Sequence, residues 1–298
     1  MPMKLPVINA LAAAALLSGC STTAVPSLAL RDPPADPAHP ADMAAFVIPA
    51  QDGAMNAMMY LAPGAQPHPT LLLLHGFPGN EQNLDLAQAA RRAGWNVLTL
   101  HYRGSWGSPG KFSFGSAADD AHTALAWLRD AANDARYAID PSRIAVAGHS
   151  MGGFTAASAA AADPAVAGLF LLDAWNPAAT AKDLASPEGR AIWHGEFVAD
   201  LPPLAGTSED ALMQEIVSGA DRLDTARMVA RYGDRPLAIY GAERGDGDTS
   251  RGYMATARAA GNTHVEGAVW PTDHPFSDKR IALSQALVAW LGTLGAQH

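Results

Sequence analysis

A short segment in the middle of the chain, residues 144–154, constrains the fold more than any other. Its first four residues form an apolar run that is typical of a buried parallel strand. Residues 154–162 are rich in alanine, a strong helix former. Between them lies Gly-His-Ser-Met-Gly at 148–152, a G-x-S-x-G sequence. Its two glycines allow strand and helix to pass closely, which predicts that Ser150 lies on a sharp strand-to-helix turn with its hydroxyl exposed.

Segments with strand and helix character alternate along most of the chain. Such alternation predicts an α/β fold with a mainly parallel central sheet and helices on both faces. Residues 43–61 predict an antiparallel hairpin that turns at Asp52 and Gly53. Residues 177–234 interrupt the alternation and predict a small helical insertion that covers the sheet as a cap. The predicted core strands are the apolar runs 70–74, 95–102, 144–147, 169–172, 236–240 and 265–270.

The N-terminal residues have the features of a lipoprotein leader. Residues 7–17 are almost entirely apolar, and they are followed by Leu-Ser-Gly-Cys, which ends at the single cysteine of the chain, Cys20. The apolar run is too short to span a bilayer, so it predicts a signal sequence. Because Leu-Ser-Gly-Cys resembles the bacterial lipobox, we expect residues 1–19 to be removed and Cys20 to be lipidated. An ordinary cleaved signal, in which Cys20 has no role, is the alternative.

The mature chain is expected to have two parts. Residues 20–42 are rich in proline and alanine and predict a semi-extended tether, and residues 43–298 are expected to form the folded catalytic domain. The lipid would hold the protein on a membrane of the bacterial cell envelope. Ser21, in the second mature position, resembles the signal of lipoproteins that are sorted to the periplasmic face of the outer membrane.

Composition excludes several classes of function. A net charge of −9 and a pI near 5.5 leave no basic face for nucleic acid. One cysteine excludes an intramolecular disulfide framework and a cysteine-based zinc site. The sequence contains no H-E-x-x-H and no G-x-x-x-x-G-K-[ST], and the glycines around Ser150 do not form G-x-G-x-x-G. We therefore expect neither a metal nor an organic cofactor.

A nucleophilic serine needs a base, normally a histidine that a carboxylate orients. Of the ten histidines, His274 follows the last predicted strand, where a loop at the carboxyl end of the sheet can reach Ser150. Four others are expected to be packing or surface residues: His101, His149, His194 and His264.

The orienting acid is less clear from the sequence. The loop after the strand at 236–240 contains Asp246, which is flanked by glycines and is our first choice. Glu243 lies nearer the strand end and is the alternative. Asp173, after the preceding strand, is a third choice, whereas Asp248 is expected to cap the next helix.

The sequence His-Gly-Phe-Pro-Gly at 75–79 follows the strand at 70–74. A tetrahedral intermediate needs two hydrogen-bond donors for its oxyanion, and backbone N–H groups often supply them. The N–H of Phe77 and that of Met151, directly after Ser150, are the predicted donors. A simple glycine-proline turn is the alternative for residues 75–79.

These motifs together resemble the α/β-hydrolase superfamily over residues 43–298. The resemblance includes Tyr-Arg-Gly at 102–104, Asp-His at 273–274, and the order serine, acid, histidine. It is greatest for compact dienelactone-hydrolase-like or prolyl-oligopeptidase-like esterases. The chain departs from the family at the acid, because the usual Gly-x-x-Asp places Arg244 at the position of the aspartate.

The resemblance implies a serine hydrolase that cleaves carboxylic esters of small or medium size through an acyl-enzyme. Trp175 and Trp193, beside and within the insertion, are expected to line its pocket. A peptidase or amidase, an acyltransferase, and a lipoprotein that only binds ligands are the alternatives.

Lipidation is directly testable. Substituting Cys20→Ser removes the thiol that would receive the lipid, so processing should no longer respond to globomycin, which blocks the lipoprotein signal peptidase. Immunoblots of the precursor and the mature form, with and without globomycin, measure this. Wild-type processing that ignores globomycin would contradict the lipoprotein assignment.

Overall fold

The computed structural model of the protein describes residues 28–295. The predicted signal sequence, Cys20 and Ser21 lie outside the described residues. Eight strands are numbered in chain order: β1 (Asp42–Ala50), β2 (Gly53–Leu61), β3 (His68–Leu74), β4 (Asn96–His101), β5 (Ile139–His149), β6 (Gly168–Leu172), β7 (Leu237–Arg244) and β8 (Val265–Asp273). They form one sheet in the order β1-β2-β4-β3-β5-β6-β7-β8.

The six strands β3 to β8 are parallel to one another, and β2 pairs with β4 in the antiparallel sense. β1 and β2 form the hairpin predicted for residues 43–61, and Asp52 takes a left-handed conformation at its turn (φ 59°). β3, β5 and β6 lie in the middle of the sheet. Their leucine-, alanine- and valine-rich runs are buried, as expected for strands that are covered on both faces.

Within residues 28–295, ten α-helices accompany the sheet: α1 (Leu84–Arg92), α2 (Phe114–Leu128), α3 (Ala131–Tyr137), α4 (Met151–Ala162), α5 (Pro177–Asp183), α6 (Pro187–Asp200), α7 (Glu209–Ser218), α8 (Thr225–Arg231), α9 (Gly247–Ala259) and α10 (Arg280–Thr293). Buried side chains of α1 and α10 pack on one face of the sheet, and those of α2, α4, α8 and α9 pack on the other. The predicted α/β fold, with helices on both faces, is confirmed.

The insertion at 177–234 consists of α5 to α8 and the loops that join them, as expected for a helical insertion. Backbone hydrogen bonds join the insertion to the loop after β4, since Ala205 N–H donates to the Gly104 carbonyl (2.7 Å) and Phe112 N–H donates to the Ala205 carbonyl (2.9 Å). The Glu215 carboxylate of α7 also accepts from two N–H groups at the start of α2. We refer to residues 177–234 as the cap.

Part of the predicted tether packs on the domain. Leu28–Leu30 form a 3₁₀ turn that contacts α1 and α10. Ala29 is buried there, and the Arg92 guanidinium donates two hydrogen bonds to the Ala29 carbonyl. The expectation of an extended tether is therefore wrong for these three residues, because the Ala29 side chain is buried against the domain and the Ala29 carbonyl accepts hydrogen bonds from Arg92. Within residues 28–295, no helix has both the length and the apolar content needed to cross a bilayer.

A buried ion pair holds the loop after β4. The Arg103 backbone N–H and its Nε donate to the two carboxylate oxygens of Asp120 on α2, at 2.7 and 2.5 Å. The guanidinium also donates to the carbonyls of Gln51 and Ser116. Asp120 is fully buried, whereas its neighbour Asp119 is exposed. The pair therefore connects the β1–β2 turn, the loop after β4 and the first turn of α2.

Breaking this pair should be costly. Asp120→Ala leaves the Arg103 guanidinium buried without its counter-charge, and we expect the free energy of unfolding to fall by about 3–5 kcal/mol. Urea unfolding followed by circular dichroism measures the change. Asp119→Ala removes the adjacent, exposed carboxylate and should change stability by less than about 0.5 kcal/mol. Equal losses in the two variants would contradict this account.

Candidate active site

Ser150 lies at the turn between β5 and α4, as predicted. It has φ 56° and ψ −121°, a combination that L-residues adopt only when the surroundings enforce it. The Ser150 N–H donates to the Leu172 carbonyl of β6 (2.9 Å), and the Ser150 carbonyl accepts from Trp175 N–H (3.0 Å). Both backbone polar groups are therefore satisfied by the neighbouring chain, which fixes the turn and points the side chain away from the sheet.

The two glycines of the motif are sterically required. A Cβ at Gly148 would lie 1.9 Å from the Gly152 carbonyl oxygen, and one at Gly152 would lie 2.1 Å from the Leu74 carbonyl oxygen. Real Cβ atoms cannot approach backbone this closely, so larger residues would push α4 away from β5 and β3. The spacing of the motif thus follows from the close crossing of three backbone segments.

His274 lies directly after β8 and is partnered by Asp173. Its Nδ1 lies 2.6 Å from Asp173 Oδ2, so the imidazole donates from Nδ1 and keeps Nε2 free to accept a proton. Asp173 follows β6 at the carboxyl end of the sheet and is fully buried. Two backbone N–H groups, of Ala242 and Asp246, donate to its carboxylate at 2.8 Å each. These bonds orient the carboxylate toward His274.

The choice of Asp246 as the hydrogen-bond partner of His274 is wrong. β7 continues to Arg244 rather than ending at residue 240, so Asp246 falls at the start of α9. Its backbone N–H donates to Asp173, and Asp173 occupies the imidazole Nδ1. The alternative, Glu243, is also wrong, because its side chain is exposed on β7.

Asp248 does not cap α9 as expected. It lies in the first turn of that helix and pairs with Arg251. The signal for Asp173 was present in the sequence, since it is the first residue after the apolar run of β6.

The charges around His274 favour its protonated form. Burial disfavours the imidazolium, but the hydrogen bond and charge of Asp173, with the charges of Asp246 and Asp273, outweigh burial and raise the pKa of His274. Burial and the neighbouring Asp173 charge raise the pKa of Asp246 to about 6, although His274 opposes them. A base of raised pKa binds the serine proton more readily, which suits general-base chemistry near neutral pH.

His149 packs beneath His274, as expected for a structural histidine. Its Nε2 donates to the His274 carbonyl (2.9 Å), and the two rings lie 4.6 Å apart. Burial and the nearby His274 lower the pKa of His149 to about 3, so this ring stays neutral. It therefore supports the His274 loop without competing for the proton.

The loop after β3 lies against the nucleophile from the other side. A Cβ at Gly76 would lie 3.0 Å from Ser150 Cβ, so only glycine allows this approach without displacement. Met151 is the first residue of α4, and its N–H has no acceptor within the helix. Phe77 and Met151 border the same cavity as Ser150. Their role as oxyanion donors stays a prediction.

One cavity of about 280 Å³ is shared by Ser150 and His274. Five aromatic side chains form much of its wall: Phe77, Phe114, Trp175, Trp193 and Phe197. Trp193 and Phe197 belong to α6 of the cap, so the cap contributes directly to the cavity. Three carboxylate residues also border it, Glu196, Asp200 and Asp246. The prediction that Trp175 and Trp193 line the pocket is confirmed, whereas the contributions of Phe114, Glu196, Phe197 and Asp200 were not anticipated.

One group of side chains within residues 28–295 could in principle ligate a metal ion. Atoms of Asp173, Asp246 and His274 lie within 4.8 Å of one another. However, both oxygens of Asp173 already accept hydrogen bonds from N–H groups, and one of these donors is the imidazole. The hydrogen-bond pattern therefore fits an acid–base pair.

Comparison with known proteins agrees with this geometry. A sequence profile described as the alpha/beta hydrolase fold matches residues 69–247, which is more than half of the chain. An uncharacterized protein of Mycobacterium tuberculosis is 35% identical over 100 residues, which are 33% of this chain and 34% of that protein. The match thus spans about a third of that relative's length.

Solved structures share the fold at low sequence identity. Carboxylesterase EstE1 from a metagenomic library superposes with a TM-score of 0.62 and 22% identity, covering 89% of this chain and 91% of its own. A carboxyl esterase of Bacillus coagulans has a TM-score of 0.64 and 15% identity, covering 85% and 98%. An esterase of Pyrobaculum calidifontis has a TM-score of 0.62 and 18% identity, covering 86% and 87%.

Two aspartate variants separate the roles of the acids. Asp173→Asn keeps the size of the side chain but loses the charge that holds the imidazole tautomer, so kcat should fall by about 10³–10⁴-fold. Asp246→Asn should reduce kcat by less than about tenfold, because its carboxylate is not bonded to the imidazole. Steady-state hydrolysis of a 4-nitrophenyl ester measures both.

The pH profile gives a second readout. Because the Asp173 charge raises the pKa of His274, its removal should move the acidic limb of kcat/KM to lower pH. Asp246→Asn should move the limb in the same direction by a smaller amount. A larger loss of kcat in Asp246→Asn than in Asp173→Asn would restore Asp246 as the triad acid.

Proposed function

The chain belongs to the alpha/beta hydrolase family, and we propose that it is a serine hydrolase that cleaves carboxylic esters. The observation that carries this proposal is the Asp173–His274 pair at the cavity that also contains Ser150. An oriented imidazole that shares a cavity with a serine on a strained turn can activate the hydroxyl for nucleophilic attack. The shared fold of three esterases supports the choice of ester substrates.

The proposed reaction proceeds through an acyl-enzyme. Ser150 Oγ attacks the ester carbonyl while His274 Nε2 accepts the hydroxyl proton, and the negative charge collects on the carbonyl oxygen. The N–H groups of Phe77 and Met151 are proposed to stabilise this oxyanion. When the C–O bond breaks, the imidazolium returns its proton to the leaving alcohol. A water molecule, deprotonated by His274, then attacks the acyl group and releases the acid and Ser150.

Asp173 is proposed to keep His274 in the productive tautomer throughout. Its carboxylate stabilises the imidazolium that forms in each half-reaction, and two backbone N–H groups hold it in position against the imidazole. Burial of Asp173 excludes water from this interaction, which strengthens it. Asp246 contributes negative charge nearby but makes no hydrogen bond to the imidazole.

The same groups would support peptidase, amidase or acyltransferase chemistry. A peptide or amide needs a protonated nitrogen leaving group, and an acyltransferase needs an alcohol to replace water at the acyl-enzyme. Matched ester and amide substrates, and the partition between water and an added alcohol, distinguish these activities from ester hydrolysis.

We also propose that the protein works at the cell envelope, anchored through a lipid on Cys20. The support is the leader sequence, in which a short apolar run precedes Leu-Ser-Gly-Cys. Packing of Leu28–Leu30 on the domain leaves few residues between Cys20 and the folded surface. The lipid would therefore hold the domain close to its membrane.

The catalytic proposal predicts covalent labelling. A fluorophosphonate probe phosphonylates an activated serine, so the wild-type protein should acquire one probe per chain on Ser150. Intact-mass spectrometry and peptide mapping measure the adduct. Ser150→Ala should not be labelled, and Asp173→Asn should be labelled more slowly by at least about a hundredfold.

A surface serine provides the matched control. Ser142 has an exposed side chain bonded to Asp140, without a histidine partner, so Ser142→Ala should be labelled like the wild type. Absence of labelling in the wild-type protein would favour a protein that only binds ligands.

A further inference from the structure

The cavity wall beside Ser150 is unusually aromatic. Neighbouring rings lie in contact around it: Phe77 is 5.6 Å from both Phe114 and Phe197, and Trp193 is 5.6 Å from Phe197 between centroids. Trp175 closes the other side, 4.9 Å from Phe114. The faces and edges of such rings offer apolar contact, and their faces also attract cations through the negative charge of the π system.

Acidic residues interrupt this aromatic wall, and His274 is the basic residue that borders the same cavity. The exposed Glu196 and the half-buried Asp200 reach the cavity from α6, and Asp246 reaches it from the start of α9. Among residues 28–295, no lysine or arginine borders the cavity. In the same part of the chain, neither Glu196 nor Asp200 forms an ion pair, whereas the Asp246 charge interacts with His274 without a hydrogen bond.

Leaving negative charge uncompensated in a partly enclosed cavity costs free energy. Burial raises the pKa of Asp200, and burial with the Asp173 charge raises the pKa of Asp246 to about 6. Both shifts mean that the surroundings of these two carboxylates disfavour the charged forms. A cation in the cavity would supply a counter-charge for Glu196 and Asp200, and the aromatic rings would hold its methylene or methyl groups.

We propose that this cavity selects esters that carry an organic cation, an ammonium or quaternary ammonium group close to the scissile bond. The proposal rests on the serine hydrolase function above and names its substrate class. Neutral esters of the same shape contact the aromatic wall but provide no positive charge for the carboxylates. Anionic esters meet three like charges and are rejected.

Two pairs of isosteric substrates test how the charge of the substrate affects hydrolysis, because the members of each pair have the same shape. Butyrylcholine and 3,3-dimethylbutyl butyrate differ only in nitrogen against carbon in the alcohol part. The 4-nitrophenyl esters of 4-(trimethylammonio)butanoate and 5,5-dimethylhexanoate give the same comparison in the acyl part. We expect kcat/KM to favour the cationic member of at least one pair by about tenfold or more. The pair that shows the preference identifies which side of the ester occupies the aromatic wall.

Variants on one helix locate the origin of the preference. The double variant Glu196→Gln/Asp200→Asn should reduce the cationic-to-neutral ratio of kcat/KM by about five- to tenfold, since two of the three charges are lost. Trp193→Leu should reduce the ratio by about threefold through loss of the cation–π contact. Glu188→Gln removes an exposed charge from the same helix, about 18 Å from Asp200 along its axis, and should leave the ratio within about 1.5-fold of the wild type because of screening.

The outcomes separate this proposal from the function on which it rests. Equal or better hydrolysis of the neutral members of both pairs overturns cation selection while leaving the serine hydrolase intact. A ratio that falls equally in Glu188→Gln and in the double variant also overturns it, because net charge would then be the cause.

If no ester is hydrolysed, ligand binding to the cavity tests the proposal instead. Calorimetric titration of Ser150→Ala with choline and with 3,3-dimethylbutan-1-ol should then give tighter binding of choline by about tenfold. Equal binding overturns the proposal.

Discussion

The structure depends on one close crossing of backbones. At Gly148 and Gly152, β5 and α4 approach each other and the end of β3 so tightly that no Cβ fits. This crossing holds Ser150 in a conformation with positive φ, which an isolated chain would rarely adopt. The strain is compensated by the burial of β5 and α4, whose side chains belong to the apolar layers of the domain. The Ser150 side chain thus borders the cavity while the elements that carry it are buried.

The rim of the sheet supplies the other reactive groups. Parallel strands end at the same edge, so loops after β3, β5, β6 and β8 bring Gly76, Ser150, Asp173 and His274 together over long sequence separations. The Asp173 carboxylate is the most constrained of these, because it is fully buried and accepts hydrogen bonds from Ala242 in β7, from Asp246 after β7 and from the imidazole. The segment that was expected to provide the acid thus provides two backbone donors to Asp173.

The cap gives the site its chemical character. Its helices bring two aromatic rings and two carboxylates to the cavity, and its connection to the loop after β4 keeps part of it in place. The sheet therefore positions Ser150, Asp173 and His274, whereas α6 of the cap forms part of the cavity wall beside them. This division explains why a common fold accommodates many activities.

The sequence alone determined the α/β architecture, the position of Ser150 and the candidacy of His274. These predictions depend on local patterns: apolar runs between glycines, an alanine-rich helix, and a histidine after the last strand. Only the tertiary structure decided between Asp173 and Asp246, and only it placed α6 against the cavity. Both outcomes depend on where β7 ends and how the cap folds back. Such contacts join residues that are far apart in the chain, and the periodicity of the sequence does not predict them.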